Sequence, residues 1–261
     1  MGGQLDGLKV LVTGAGGGIG EAVALTMAEA GADVSVADID MGRAEAVVSQ
    51  AEAHGVKAYA MQADCGDIKQ IDAMIESAVS NMGRLDVIVN NAGVTRNAFI
   101  MDIDEADWDR MHRVNSKGVF FAMQRAARQM IEQGEGRIIN MASIAGRGFS
   151  ATSNAAYAAS KGAVLAMTYV AAHQLGPKNI NVNAICPGVT FTDLVGKLIE
   201  DRAEEQGRTV EEMRGIFERP IPIRRGNDPS DVAALAVFLA SPGARNITGQ
   251  GYNVDGGLIN S

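Results

Sequence analysis

The chain has 261 residues, 47% hydrophobic and 21% charged, a globular composition that excludes a disordered or fibrous protein. Its 23 basic against 31 acidic residues leave a formal charge of −8, which argues against nucleic-acid binding because that needs a basic face. No apolar run reaches the ~18 residues of a membrane span, and Met1-Gly2-Gly3-Gln4-Leu5-Asp6 lacks the basic start and apolar stretch of a signal peptide. A cytoplasmic location is expected. Cys65 and Cys186 lie far apart and read as buried thiols in a reducing compartment. The 31 glycines exceed the roughly 18 of average usage and belong in turns and close backbone approaches.

The aliphatic run at 8–13 stops at glycines, and a helical pattern with apolar residues at 19, 22, 23, 27 and 30 ends at Gly31. Val34-Ser35-Val36-Ala37 then closes at Asp38. Helical stretches at about 41–54, 67–82, 105–132, 155–175 and 229–241 alternate with short apolar runs at 58–63, 85–89, 137–141, 181–185 and 251–254. Strands that read as continuous apolar runs are buried on both faces. The alternation predicts one α/β domain over 1–261: a doubly wound, Rossmann-type, seven-stranded parallel sheet flanked by helices. The long, charged stretch at about 189–227, with Pro220 and Pro222, reads as a lid or substrate-loop insertion.

Thr13-Gly14-Ala15-Gly16-Gly17-Gly18-Ile19-Gly20 lies between the first strand and the first helix. There a pyrophosphate can rest on free N–H groups at a helix N-terminus, provided no side chain blocks it. Asp38 follows 18 residues after Gly20, where a carboxylate accepts hydrogen bonds from the adenosine-ribose hydroxyls and repels a 2′-phosphate. Position 39 is Ile, the turn holds no Arg or Lys, and Arg43 reads as part of a solvated helix face. NAD is therefore expected over NADP.

Tyr157-Ala158-Ala159-Ser160-Lys161 opens a helical stretch, so Tyr157 and Lys161 share a face one turn apart. Ser143 follows the fifth strand and Asn115 lies in the preceding helical region. With these residues in register, the chain resembles the short-chain dehydrogenase/reductase family from about residue 5 to 257. The resemblance implies that Gly14, Gly18, Ile19 and Gly20 bind the dinucleotide. It places Asp38 and Ile39 at the ribose, Asp64 and Cys65 beside the adenine, and Asn90-Asn91-Ala92-Gly93 along the cofactor, with Asn90 on the adenosine-ribose side. Asn115, Ser143, Tyr157 and Lys161 match the catalytic tetrad, Tyr157 and Lys161 also touching the cofactor. Pro187, Gly188, Val189, Thr190 and Thr192 match the segment that grips the nicotinamide carboxamide. The Ser143-to-Tyr157 interval is one residue longer than the family's usual one, an excess assigned to residues 148–154.

Hydride exchange between nicotinamide C4 and a carbon bearing oxygen is the implied reaction. A free tyrosine has a pKa of about 10, and an adjacent cation lowers it by ~1–3 units; with Lys161 supplying one charge and the oxidised nicotinamide another, Tyr157 is expected to be the general acid/base. Ser143 would polarise the substrate oxygen, and Asn115 would anchor a proton-relay water. No metal is expected, as His54, His112 and His173 lack ligand spacing; Trp108 reads as packing.

The expected substrate is a secondary alcohol or its ketone of polyol, sugar, cyclic or hydroxyacyl type. The alternative is an NADPH-dependent 3-oxoacyl carrier-protein reductase, suggested by Val94-Thr95-Arg96-Asn97; a remoter one is a non-catalytic NAD(H)-binding protein. Arg147 and the arginines of 189–227 are candidate readers of an anionic substrate, and Asn97 and Phe149 candidate pocket residues. The family pairs the helices corresponding to 105–132 and 155–175 between subunits, so a homotetramer is expected, with Ala126-Ala127 and Ala171-Ala172 as candidate contact surface. No nucleic-acid or membrane partner is expected.

Overall fold

A computed structural model describes residues 3–150 and 152–260, apart from the side chains at 193, 194 and 198. Seven strands form the sheet: β1 (Lys9–Thr13), β2 (Asp33–Asp38), β3 (Ala58–Gln62), β4 (Val87–Asn90), β5 (Gly136–Met141), β6 (Ile180–Pro187) and β7 (Gly251–Val254). All pair in parallel, in the order β3-β2-β1-β4-β5-β6-β7. The order reverses at β1, which pairs Val10 with Val34 on one side and Val87 on the other. Ligands of open α/β sheets bind in the crevice beyond the strand ends at such a reversal.

Period-two alternation divides each strand between two helical layers. Val10, Val12, Val87 and Val89 pack with α1 (Gly18–Glu29), α2 (Met41–Glu52) and α9 (Pro229–Ala240). Leu11, Ile88 and Ile138 pack on the other face against α3 (Ile68–Met82), α5 (Val119–Gln133) and α6 (Ala155–Leu175). Asp40, Asp67 and Asp104 cap α2, α3 and α4 (Glu105–His112) by accepting from N–H groups of the first turn.

Two expectations change and one is refined. The stretch 105–132 is helical throughout as expected, with α4 and α5 joined by a π-helical turn at Arg113–Gly118 that carries Asn115. The insertion is not a loop. It holds α7 (Asp193–Glu205) and α8 (Val210–Glu218), which bury Ile199, Ala203 and Met213 with Phe191, Val195 and Phe217 around them. A reciprocal cap between Thr209 and Glu212 starts α8. Finally, Ala126, Ala127, Ala171 and Ala172 are buried within the subunit's own core, because these small residues bring α5 and α6 close to the sheet. The large apolar side chains left exposed on those helices are Phe120, Ile131, Tyr169 and Val170.

Candidate active site

The crevice is built from the strand ends inward. Thr13, the last residue of β1, is 2% exposed, and its Oγ1 accepts from the N–H groups of Asn91 and Ala92 at 3.0 and 3.1 Å. Asn91 Nδ2 returns two bonds, to the carbonyls of Thr13 at 3.0 Å and Gly14 at 2.9 Å. The turns after β1 and β4 are thus locked together. Gly14 has φ +60°, and a Cβ there would lie 2.7 Å from Ala92 Cα, so no other residue fits. The N-cap of α1 is Gly17, which has no side chain to cap the helix. The N–H groups of Gly18, Ile19 and Gly20 therefore face the crevice without a side-chain acceptor, a cradle that suits a pyrophosphate.

Asp38 closes the cradle on the β2 side. Its Oδ2 accepts from Gly16 N at 2.8 Å and its Oδ1 from Asp40 N at 3.0 Å, with exposed Ile39 next in the chain. Each carboxylate oxygen keeps a lone pair for a ribose hydroxyl. Arg43 lies on the solvated face of α2 as expected, and its stem also lies over Gly16, 2.7 Å from where a Cβ would project. It brings a cation to the same corner as Asp38. Further along, Asp64 accepts from Gly66 N at 2.7 Å and pairs with Arg113 at 3.3 Å. Cys65 is buried behind it, its thiol pushed up to about 12 by desolvation, which makes it inert.

Asn90 does not reach the ribose side. It is 1% exposed and donates to Asn140 Oδ1 at 2.8 Å inside the sheet; in a parallel strand buried on both faces, an inward polar side chain must pair with its neighbours. Gly93 opens the crevice where Lys161 and Asn115 meet: a Cβ there would lie 3.3 Å from Lys161 Nζ and 3.4 Å from Asn115 Oδ1.

Tyr157 and Lys161 occupy the first two turns of α6. Lys161 is 3% exposed; its Nζ donates to the Met141 carbonyl at 2.7 Å and lies 5.9 Å from the centre of the Tyr157 ring. Burial pulls its pKa down to about 8. Desolvation outweighs the opposing influence of the nearby Ser143 hydroxyl and holds the Tyr157 phenol above its ordinary range. The expected acidification combines Lys161 with the charge of an oxidised nicotinamide, whereas this direction describes the free site. The ammonium is engaged by a backbone carbonyl, and burial penalises the phenolate more than the site's dipoles favour it. Asn115 Oδ1 accepts from Val94 N at 2.7 Å while its Nδ2 donates to Val94 O at 2.8 Å and Ser160 Oγ at 3.0 Å. The Asn115 side chain thus braces the wall after β4.

The segment after β6 crosses the crevice. Gly188 N donates to the Val254 carbonyl at 2.8 Å, and a Cβ at Gly188 would lie 2.7 Å from the Asp255 Cβ. Pro187 and Val189 flank that contact, and Val189 O accepts from Asn227 N at 2.8 Å. Thr192 reaches the glycine turn, its Cγ2 lying 3.1 Å from where a Gly18 Cβ would stand. Thr190 points inward, bonded to the Gly188 carbonyl at 3.3 Å and to Asn227 at 3.4 Å.

Arg147 is not a substrate reader. Its guanidinium donates to the Gly251 carbonyl, so β7 turns it away from the crevice. Three of the insertion's arginines are engaged locally: Arg214 stacks on Phe191 at 4.0 Å, Arg202 lies over Phe217, and Arg225 pairs with Asp228 and Asp231. Phe149 packs against the buried cluster that includes Ala142, Ile144 and Val164, Asn97 is exposed, and Trp108 stacks on His112 at 4.3 Å. Asn154, which caps α6 on the N–H of Tyr157 at 2.7 Å, escaped the sequence reading. Its signal was an Asn three residues before the tyrosine at a helix start.

Residues 14–259 match the protein-family profile described as Enoyl-(Acyl carrier protein) reductase. The chain is 41% identical over 251 residues to the 3-oxoacyl-acyl-carrier-protein reductase FabG of Staphylococcus aureus, covering 96% of this chain and 97% of that one. The chain belongs to the short-chain dehydrogenase/reductase family.

Among other members, the same-named reductase of Thermotoga maritima is 38% identical over 256 residues, 98% of this chain and 99% of its own. The crystal structure of NAD+-bound xylitol dehydrogenase superposes with a TM-score of 0.90 at 32% identity, covering 97% and 99% of the two chains. That of a 7α-hydroxysteroid dehydrogenase, complexed with NADH and 7-oxo glycochenodeoxycholic acid, superposes with a TM-score of 0.88 at 35% identity, covering 98% and 96%. This short-chain dehydrogenase/reductase is an oxidoreductase that acts on CH–OH groups with a nicotinamide dinucleotide, which sets aside the non-catalytic reading. No described helix is long and apolar enough to cross a membrane.

Proposed function

We propose that the enzyme interconverts 3-oxoacyl and 3-hydroxyacyl thioesters, a ketone and its secondary alcohol, with NAD(H) as the preferred dinucleotide. The observation that carries the chemistry is the convergence of Ser143, Tyr157 and Lys161 beyond the uncapped glycine cradle. The acyl class is supported by 41% and 38% identity, over nearly the whole chain, to reductases named for that substrate. Among the named alternatives, the acyl substrate is therefore preferred to a polyol, and NAD(H) is retained over NADPH on account of Asp38.

When bound, the nicotinamide supplies or accepts the hydride. Tyr157 exchanges the proton at the substrate oxygen, and in the free site its raised pKa keeps the phenol protonated, the state that a reduction consumes. The Ser143 hydroxyl, beside the phenol, orients that oxygen and stabilises charge developing on it. Lys161 holds a positive charge beneath the pair, since a pKa of about 8 leaves it largely protonated at neutral pH.

The site also fits the polyol reading, favoured by the NAD+-bound xylitol dehydrogenase with its TM-score of 0.90. A single assay separates the two: acetoacetyl-CoA with NADH or NADPH, against xylitol with NAD+. The proposal expects NADH-linked turnover of the acyl thioester. Turnover of xylitol alone reverses the substrate assignment, and a tenfold preference for NADPH reverses the cofactor assignment. We further infer a homotetramer, paired through exposed Phe120, Tyr169 and Val170 on α5 and α6.

A further inference from the structure

We propose that Asn154 is a positioning residue for the acid/base tyrosine, its side-chain amide tying the backbone N–H of Tyr157 to the carbonyl of Arg96 across the crevice. Asn154 is 5% exposed. Its Oδ1 accepts from Tyr157 N at 2.7 Å, and its Nδ2 donates to Arg96 O at 2.7 Å and to Thr95 Oγ1 at 3.4 Å. Two bonds from the adjacent residue extend the clasp: Ser153 Oγ with Thr95 Oγ1 at 2.7 Å, and Ala98 N to Ser153 O at 3.1 Å.

The far side of the clasp is itself anchored. Arg96 donates from Nε to Asp107 Oδ2 at 2.8 Å and from Nη2 to Asp102 O at 2.7 Å, and Asn115 holds Val94 from below. Tyr157 is therefore referenced to a fixed wall rather than to its own helix alone.

Helix capping does not by itself explain an asparagine here. A cap needs only an acceptor, and this chain uses aspartate for that purpose at Asp40, Asp67 and Asp104. At 154 the second end of the side chain faces a carbonyl, which requires a donor; a carboxylate would oppose it. The clasp also absorbs the longer interval between Ser143 and Tyr157, because it fastens the end of that loop to the opposite wall. Reaction rates are steeply sensitive to ångström-scale placement of the reacting groups.

The inference rests on Tyr157 being the acid/base, and the test keeps the two apart. Asn154→Asp preserves the cap and loses the donor; Asn154→Ser preserves a shorter cap and cannot reach Arg96. Each is compared with wild type and with Tyr157→Phe, using acetoacetyl-CoA with NADH and, in a second arm, xylitol with NAD+. For both Asn154 variants, kcat should fall by about 20-fold or more, while NADH affinity and cofactor KM stay within about twofold and the unfolding midpoint moves by less than ~4 °C. If Tyr157→Phe is inactive but both Asn154 variants keep kcat near wild type, the clasp is overturned and the acid/base reading stands. An active Tyr157→Phe overturns both. A kcat loss that tracks lost folding or lost NADH binding also overturns the clasp, since Asn154 would then be structural.

Discussion

Lys161 carries its charge in a place that penalises it. The ammonium is 3% exposed, its protein hydrogen bond goes to the Met141 carbonyl at 2.7 Å, and among the described residues no carboxylate offsets its desolvation. Moving its pKa from 10.5 to about 8 corresponds to roughly 3 kcal/mol against the charged form. Lys161→Met keeps most of the stem and removes the charge, while leaving the Met141 carbonyl without its donor at a cost of about 1–2 kcal/mol. The variant should therefore lose turnover yet be more stable than wild type by about 1–2 kcal/mol at pH 7. The sign reverses with pH. Between about 8 and 10.5 the unfolded chain binds more protons than the folded one, so wild-type stability rises across that window and the gap closes. Urea unfolding at pH 7 and 9.5, without cofactor and at one protein concentration, measures both values. A variant less stable than wild type at pH 7, or a gap unchanged between the two pH values, would refute the argument.

Tyr157→Phe should lower kcat by ~100-fold or more while the NADH dissociation constant stays within about threefold; retention of more than about a tenth of turnover removes the acid/base assignment. Asp38→Ala should raise kcat/KM with the 2′-phosphorylated cofactor relative to NAD(H) by about 100-fold, since two like charges ~5 Å apart at an effective dielectric of 20 repel by about 3 kcal/mol, and Arg43 then lies beside the phosphate. Steady-state kinetics with both cofactors decide it, an unchanged ratio counting against Asp38. Gly118→Ala would place a Cβ 2.1 Å from the Cys65 carbonyl, so it should destabilise the chain by about 2 kcal/mol or more; an unshifted thermal midpoint would contradict the packing. Val170→Glu, on the exposed face of α6, should lower the assembly mass seen by light scattering after gel filtration, and an unaltered mass excludes that face from the interface.

The order of strands and helices was legible because buried parallel strands are written as unbroken aliphatic runs and their helices end at glycines such as Gly31. Gly14, Asp38, Ser143, Tyr157 and Lys161 were legible because each chemical role limits the residue type and its place in the βα unit. The insertion was misread because α7 and α8 bury few side chains, so charged residues mask their periodicity, as in Val210-Glu211-Glu212-Met213. The π turn before α5 leaves no mark in the apolar spacing, because the segment stays helical through Arg113–Gly118.

The amino-acid order determined which groups this enzyme could bring to its crevice: a side-chain-free cradle, a carboxylate at the end of β2, and a tyrosine and a lysine one helical turn apart. Only the tertiary structure decided how those groups behave. It turned Arg147 toward β7, committed Asn115 to Val94, and buried Ala126 and Ala171 in the subunit's own core. It also held the Tyr157 phenol protonated while lowering the pKa of Lys161. Each of these depends on desolvation and on partners supplied by segments remote in the chain, and local spacing does not encode them.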